Sequence, residues 1–238
     1  MIATSGSTKY THLFENLPQN IKQLLILNGT ELIAEKGTML FNEGDSSDHI
    51  YYIQSGKIRL SKTSVQGKVF YMQVKKEYDF VGELTLYNGY NYHLNAEVVQ
   101  DSVLFRFDRK TIEDLFFQHS DLAMYYMKWL AKENQTLLAQ FRDLIFCGKE
   151  GAVYSILIRM SNEYGKKISN GILINRKVTN QELANFVGAT RESINRILKR
   201  LINHNIISVN TKYITILNKQ YLEEHLRCNH CPFDECHI

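Results

Sequence analysis

Val178-Thr179-Asn180-Gln181-Glu182-Leu183-Ala184-Asn185-Phe186-Val187-Gly188-Ala189-Thr190-Arg191-Glu192-Ser193-Ile194-Asn195-Arg196-Ile197-Leu198-Lys199-Arg200-Leu201 is the stretch that decides the fold. Thr179 followed three residues later by Glu182 is a capping box, Leu183, Ala184 and Val187 share an inward face, Gly188 turns the chain, and Thr190 caps a second helix. That order predicts a helix-turn-helix. A helical hairpin around a glycine also occurs in proteins that never meet nucleic acid. The second helix sharpens the reading: Ile194, Ile197, Leu198 and Leu201 form its buried stripe, while Arg191, Glu192 and Arg196 open it and Lys199 and Arg200 follow. The first residues of a recognition helix are those that reach base edges in the major groove. Arg offers a two-pronged donor to guanine O6 and N7, and Glu accepts from cytosine N4. Ile206 to Ile216 then reads as a hairpin, which makes the unit a winged helix. Thr179 counts among the candidate DNA-contacting residues, and Lys212, near the hairpin tip, is placed for a phosphate.

Charge agrees with this. The 238 residues carry a net +3, but residues 175 to 218 hold seven Lys/Arg against two Asp/Glu, which leaves the rest of the chain net negative. Basic charge gathered in one segment is the footprint of a nucleic-acid-binding module. The length suits two domains, 44% apolar residues suffice for a core in each, and no apolar run approaches membrane-spanning length. Met1 to Lys9 is polar and has no apolar leader, so the sequence reads as cytoplasmic and without persistent disulfides.

Upstream, from Ile33 to about Phe107, β-rich runs alternate with Gly37, Gly44, Gly56, Gly67, Gly82 and Gly89. The runs His49–Ile53, Lys57–Leu60, Val69–Met72 and Val103–Phe107 predict an antiparallel sandwich or roll, with a short helix near Ile21 to Leu27 packed on it. After Asp108 the period becomes helical. Thr111 to Phe117 predicts a short helix, and Ser120 to Phe146 contains no Pro or Gly. Within it Ala123, Met127, Leu130, Asn134, Leu137, Phe141 and Leu144 form a heptad seam, and a polar Asn134 within the seam predicts a self-pairing dimer helix. Gly148 and Gly151 mark a break, followed by an amphipathic helix over about 152 to 164.

Three of the four cysteines fall in the last eleven residues, as Cys228, Cys231 and Cys236 in a C-x2-C-x4-C arrangement. Thiolates this close at a terminus suit one metal centre better than a core. By spacing alone zinc, completed by His230 or His237, and an iron-sulfur cluster stand level.

The roll with Gly82-Glu83-Leu84, the dimer helix, Thr179-Asn180-Gln181-Glu182-Leu183-Ala184 and Arg191-Glu192-Ser193-Ile194-Asn195-Arg196 together resemble the Crp/Fnr family of bacterial transcription regulators. The likeness covers nearly the whole chain. The cysteine tail is similar to that of the Bacillus-type Fnr branch. This resemblance implies one oxygen-labile [4Fe-4S] cluster per subunit, a homodimer on an inverted repeat in double-stranded DNA, and contact with RNA polymerase. Arg191, Glu192 and Arg196 match the family's base-reading positions, in a set closer to the Crp reader, which implies a TGTGA-like half-site. Chemistry alone nominates Cys147 as the fourth ligand, since four thiolates are the default for such clusters. Resemblance favours Asp143, because Phe141-Arg142-Asp143-Leu144 before Gly148-Lys149 is similar to the segment in which an aspartate completes the site. The two are four residues apart and share a helix face. Cyclic-nucleotide-binding members follow the Gly-Glu pair with an Arg that holds the cyclic phosphate. Here Glu83 to Ala96 contains no Arg or Lys, so no cyclic-nucleotide binding is expected.

The expected architecture is therefore α+β. A β-roll of cyclic-nucleotide-binding type with a degenerate ligand site spans 1–119, a dimerisation helix 120–147, a winged helix-turn-helix 148–219 and an iron-sulfur tail 220–238. No phosphate loop, Ser/His/Asp set or carboxylate pair points to an enzyme.

Overall fold

The computed structural model describes residues 19–84, 86 and 91–226. The chain divides into two compact units, Met1–Leu60 with Val74–Ala131 and Ser61–Gln73 with Lys132–Ile238.

In the first unit helix α1 (Gln19–Asn28) precedes antiparallel strands β1 (Thr30–Ala34), β2 (Met39–Phe41), β3 (His49–Thr63), β4 (Val69–Lys76), β5 (Phe80–Val81) and β6 (Asn95–Asp108). The sheet runs β1-β6-β3-β4, with β2 also on β6 and β5 on β3. Two of the expected runs, His49–Ile53 and Lys57–Leu60, are one 15-residue strand. Ile50, Tyr51, Tyr52 and Ile53 are all buried, because both faces of β3 are covered. Ile50 and Tyr52 join a core with Leu25, Phe80, Phe105, Phe107, Ile112, Leu122, Tyr126 and Trp129. Tyr51 instead faces Phe41, which stacks on Tyr92 with ring centroids 3.6 Å apart. Trp129 donates to Asp79 at 3.2 Å, and the buried Lys75 places its Nζ 4.9 Å from the Trp129 ring.

Five of the six expected turn glycines have positive φ, and Gly89 lies outside the described residues. Gly56 is the demanding one. At φ +99° a Cβ would stand 2.1 Å from Ser102 Oγ and 2.6 Å from backbone atoms of Asp101 and Ser102.

Helix α2 (Arg109–Gln118) leads to α3 (Ser120–Tyr164). The expected break is real and belongs to one glycine: Gly148, at φ 61° and ψ −163°, is non-helical. Gly151, also read as a breaker, is helical and buried. It permits close approach, since a Cβ there would lie 2.1 Å from Cys147 Cβ and 3.3 Å from Leu226. Of the expected heptad seam, Met127, Leu130, Asn134 and Phe141 are exposed. Ala123, Leu137 and Leu144 are half-buried in their own units, whereas Met124, Met127, Ala131, Asn134, Leu138, Phe141 and Ile145 are exposed at strict 3-4 spacing.

In the second unit the helix after Gly148 packs with α4 (Asn180–Val187), α5 (Arg191–Asn203), α6 (Lys219–His225) and a four-stranded sheet. Its strands β7 (Gly165–Ile168), β8 (Gly171–Ile174), β9 (Ile207–Asn210) and β10 (Tyr213–Ile216) run in the order β7-β8-β10-β9. The β7-β8 hairpin was not expected from the sequence. The second unit also takes in the tip of the β3-β4 hairpin, where Tyr71 meets Phe186 edge-on at 5.2 Å and Lys68 donates to the Gly188 carbonyl at 2.6 Å.

Gly56→Ala is expected to destabilise the chain by ~3 kcal/mol or more through clash and strain together. Gly37→Ala, at φ +94° with nothing within 4 Å of the added Cβ, should cost only about 1 kcal/mol. Chemical denaturation of both variants checks the difference.

Candidate nucleic-acid interface and metal centre

Each helix of the reading unit begins on a side-chain cap. Thr179 accepts from the Glu182 amide at 3.0 Å, and Thr190 accepts from the Ser193 amide at 3.2 Å. The reverse half of the expected capping box is replaced: the Glu182 carboxylate takes the Arg176 guanidinium, which also lies 5.0 Å from the Tyr164 ring. Gly188 closes α4 in the left-handed region at φ 68°, its amide following the buried pair Phe186 and Val187. Across α5, Ile194, Leu198 and Leu201 are buried, and Ile197 is half-buried.

Arg191, Glu192 and Arg196 are all exposed, together with Asn195, Lys199 and Arg200. Arg191, Glu192, Asn195 and Arg196 sit on the first two turns of a helix whose other side is buried, the part of a recognition helix that can reach base edges. Arg196 Nη2 lies 3.4 Å from Ser193 Oγ, and Asn180 Nδ2 lies 3.5 Å from Asn195 Oδ1. Thr179 is exposed, but its hydroxyl oxygen is engaged as the α4 cap. Lys212 occupies the second position of a two-residue turn between β9 and β10, with Thr211 at φ 48° and Lys212 at φ 70°. Positive φ at both positions makes this a type I′ hairpin, whose twist matches its strands. The tip is tied back by Val178 donating to the Lys212 carbonyl at 2.8 Å.

Two features escaped the sequence reading. Exposed Lys166 and Lys167 stand on the edge strand β7. Glu150, just past the Gly148 break, accepts from Tyr154 Oη and pairs with Arg200 of α5. Burial, reinforced by that Glu150 partner, raises the Tyr154 phenol well above its ordinary value.

Cys228, Cys231 and Cys236 lie outside the described residues. The root of their tail is described. Tyr154 packs edge-on against His225 at 4.8 Å, and Cys147 Sγ lies 3.8 Å from the His225 carbonyl oxygen. Cys147 is half-buried, with Leu226 close by across Gly151. Asp143, one turn earlier on the helix, is 4% exposed. Its Oδ1 accepts from Arg142 Nε at 3.0 Å and Nη2 at 2.7 Å, and its Oδ2 accepts from Ser155 Oγ at 2.7 Å. Among the described residues no group of three or more His, Cys, Asp or Glu side chains gathers as a metal site, and no helix is long and apolar enough to cross a membrane.

Residues 32–119 match the cyclic nucleotide-binding domain family and residues 152–225 the Crp-like helix-turn-helix domain. The anaerobic regulatory protein of Bacillus subtilis (strain 168) is 38% identical over 224 residues, 93% of this chain and 94% of that one. This chain belongs to the Crp/Fnr family of transcription regulators. It is a DNA-binding regulator, and its relatives and structural neighbours are regulators rather than enzymes. Among solved structures, the c-di-GMP responsive global regulator CLP of Xanthomonas campestris aligns with TM-score 0.69 at 20% identity, over 82% of this chain and 97% of that one. A putative Crp/Fnr-family regulator from Eubacterium rectale also aligns with TM-score 0.69 at 20% identity, over 90% and 97%. Both likenesses confirm the α+β architecture of antiparallel roll, long helix and winged helix-turn-helix.

Thr190→Ala removes the α5 cap, so chemical denaturation should show a loss of about 1 kcal/mol.

Proposed function

We propose that this chain is an oxygen-responsive transcription regulator, active as a homodimer on a TGTGA-like inverted repeat when a [4Fe-4S] cluster, one per subunit, is assembled without oxygen. The observation that carries the reading is the root of the cysteine tail, which leaves the described chain against Cys147, one helical turn from Asp143. The donor set suits the group: three thiolates from Cys228, Cys231 and Cys236, with one further ligand just before the Gly148 break of α3. Asp143 is that ligand in this reading and Cys147 is the alternative. The likeness to an anaerobic regulatory protein adds support. When bound, such a cluster supplies an oxygen-labile tie between tail and helix. A carboxylate is a harder and weaker iron ligand than thiolate, which makes its iron the natural point of oxidative attack.

The exposed seam Met124, Met127, Ala131, Asn134, Leu138, Phe141 and Ile145 supports dimerisation through α3 without metal. Arg191, Glu192 and Arg196 read bases, while Lys212 and Thr179 contact the DNA backbone. RNA polymerase is a partner, the protein works in the cytoplasm, and cyclic nucleotides are not its signal.

Visible absorption of anaerobically purified protein, with iron and sulfide analysis, tests the cofactor. A brown protein with near-stoichiometric cluster is expected, and a colourless protein holding zinc would replace the reading. Glu192→Ala should lose about 1 to 3 kcal/mol of discrimination at its half-site position, whereas Lys212→Ala should weaken binding on all sequences alike. Binding titrations on a panel of half-sites measure both. In sedimentation at micromolar concentration the metal-free protein should be a dimer and Leu138→Glu a monomer. A metal-free monomer would contradict the seam.

A further inference from the structure

Strand β7 is the outer edge of the sheet that carries the wing, and all its residues, Gly165–Ile168, are exposed. Lys166 pairs with Leu173, which pairs with Thr215 of β10, so one row runs from this lysine across the sheet to the wing strand. Lys167 heads the next row, with Ile172 and the buried Ile216, and is exposed because no strand lies beyond β7. The chain leaving β8 joins this edge to the wing tip. Asn175 donates to the Tyr164 carbonyl just before β7, exposed Lys177 follows two residues later, and Val178 donates to the Lys212 carbonyl. Lys166, Lys167, Lys177 and Lys212 therefore form a basic strip that starts at the wing and runs outward over two strand spacings, about 10 Å. Other cations of the unit are neutralised: Arg176 by Glu182, Arg200 by Glu150 and Lys219 by Glu223. Among the described residues no carboxylate pairs with Lys166, Lys167 or Lys177. Lysines on an edge strand also deter pairing with a second sheet, but that role does not call for Lys177, which lies on no strand.

We propose that the β7 end of this strip is a second DNA contact, which takes backbone phosphates of the duplex flanking the half-site. Charge and place select the partner. Ammonium groups without carboxylate partners are continuous with the matched helix-turn-helix domain, and duplex DNA presents about one negative charge per 1.7 Å of its axis. Lysine, a compact point charge without a fixed fork, suits phosphates and carries no base information. An offset of about 10 Å corresponds to roughly three base pairs of rise, so these lysines meet backbone beyond that held at the wing tip. Flanking DNA that bends toward β7 gains their contacts, and the protein thereby responds to the flexibility of sequence whose bases it does not touch. The inference rests on DNA binding by this unit and not on the reading of its metal.

Fluorescence anisotropy of anaerobically reconstituted protein on two duplexes tests this: the inverted repeat alone, and the repeat extended on each side by one helical turn, about ten base pairs, of unrelated sequence. The double variant Lys166→Gln with Lys167→Gln should bind the extended duplex roughly 3- to 10-fold more weakly than the unaltered chain at physiological salt. Its slope of log affinity against log salt should be shallower by between about 1 and 2. On the bare repeat the double variant should match the unaltered chain. A loss equal on both duplexes, or no loss on the extended one, overturns the proposal. Arg196→Ala, which reports base reading alone, should weaken both duplexes alike, so a failure of that reading shows there and not in the lysine variant. Full affinity of the lysine variant on both duplexes, together with weaker transcription by purified RNA polymerase, would assign the strip to an acidic protein surface and overturn the DNA contact.

Discussion

A 45-residue helical run that must break once, at a residue only glycine can occupy comfortably, sets the terms for everything downstream. The break separates Asp143 and Cys147 from Glu150, Tyr154, Ser155 and Arg159. The chain then spends its buried polar chemistry on holding the two sides together. A buried carboxylate facing a buried guanidinium is tolerable only in a complete network, and the Ser155 hydroxyl completes it by accepting from one and donating to the other.

The helix after the break also carries the two elements that matter for function. Tyr154 packs on His225 and Tyr221 of α6, from which the cysteine tail departs, and it hydrogen-bonds to Glu150. Glu150 in turn pairs with Arg200 on the recognition helix. Tail root, break and α5 are thus consecutive contacts within one compact unit. A change at the tail has a short physical route to the orientation of α5. A pair this exposed contributes little to stability.

The helix-turn-helix was fully legible in the sequence, because its caps, its glycine and its apolar stripe are local signals that tertiary packing had no reason to override. Of the heptad seam, Met127, Leu130, Asn134 and Phe141 are exposed as expected, while Leu137 and Leu144 are half-buried and their neighbours Leu138 and Ile145 exposed. Leu137-Leu138 and Leu144-Ile145 are adjacent apolar pairs, so two registers look equally good. Gly151 read as a breaker because a glycine's need for space looks the same in sequence as its need for positive φ. The β7-β8 hairpin was missed because β7, Gly165–Ile168, is exposed along its length and carries two lysines, and its turn is Ser169-Asn170, with Ile168 paired to Gly171, so no apolar alternation marks it. The burial of Asp143 had no local signature at all, since it depends on Ser155 and Arg159 beyond the break. The cysteine tail, whose spacing suits a metal centre, lies outside the described residues.

In the proposed function the metal state of the tail governs DNA binding without governing dimerisation. The most direct test is the affinity of anaerobically reconstituted protein for a TGTGA-like inverted repeat, measured by fluorescence anisotropy before and after brief exposure to air, with oligomeric state followed in parallel. Affinity should fall by roughly 10-fold or more while the dimer persists, a coupling of ordinary allosteric size. Unchanged affinity after cluster loss, or a loss of affinity that tracks dissociation into monomers, would contradict it.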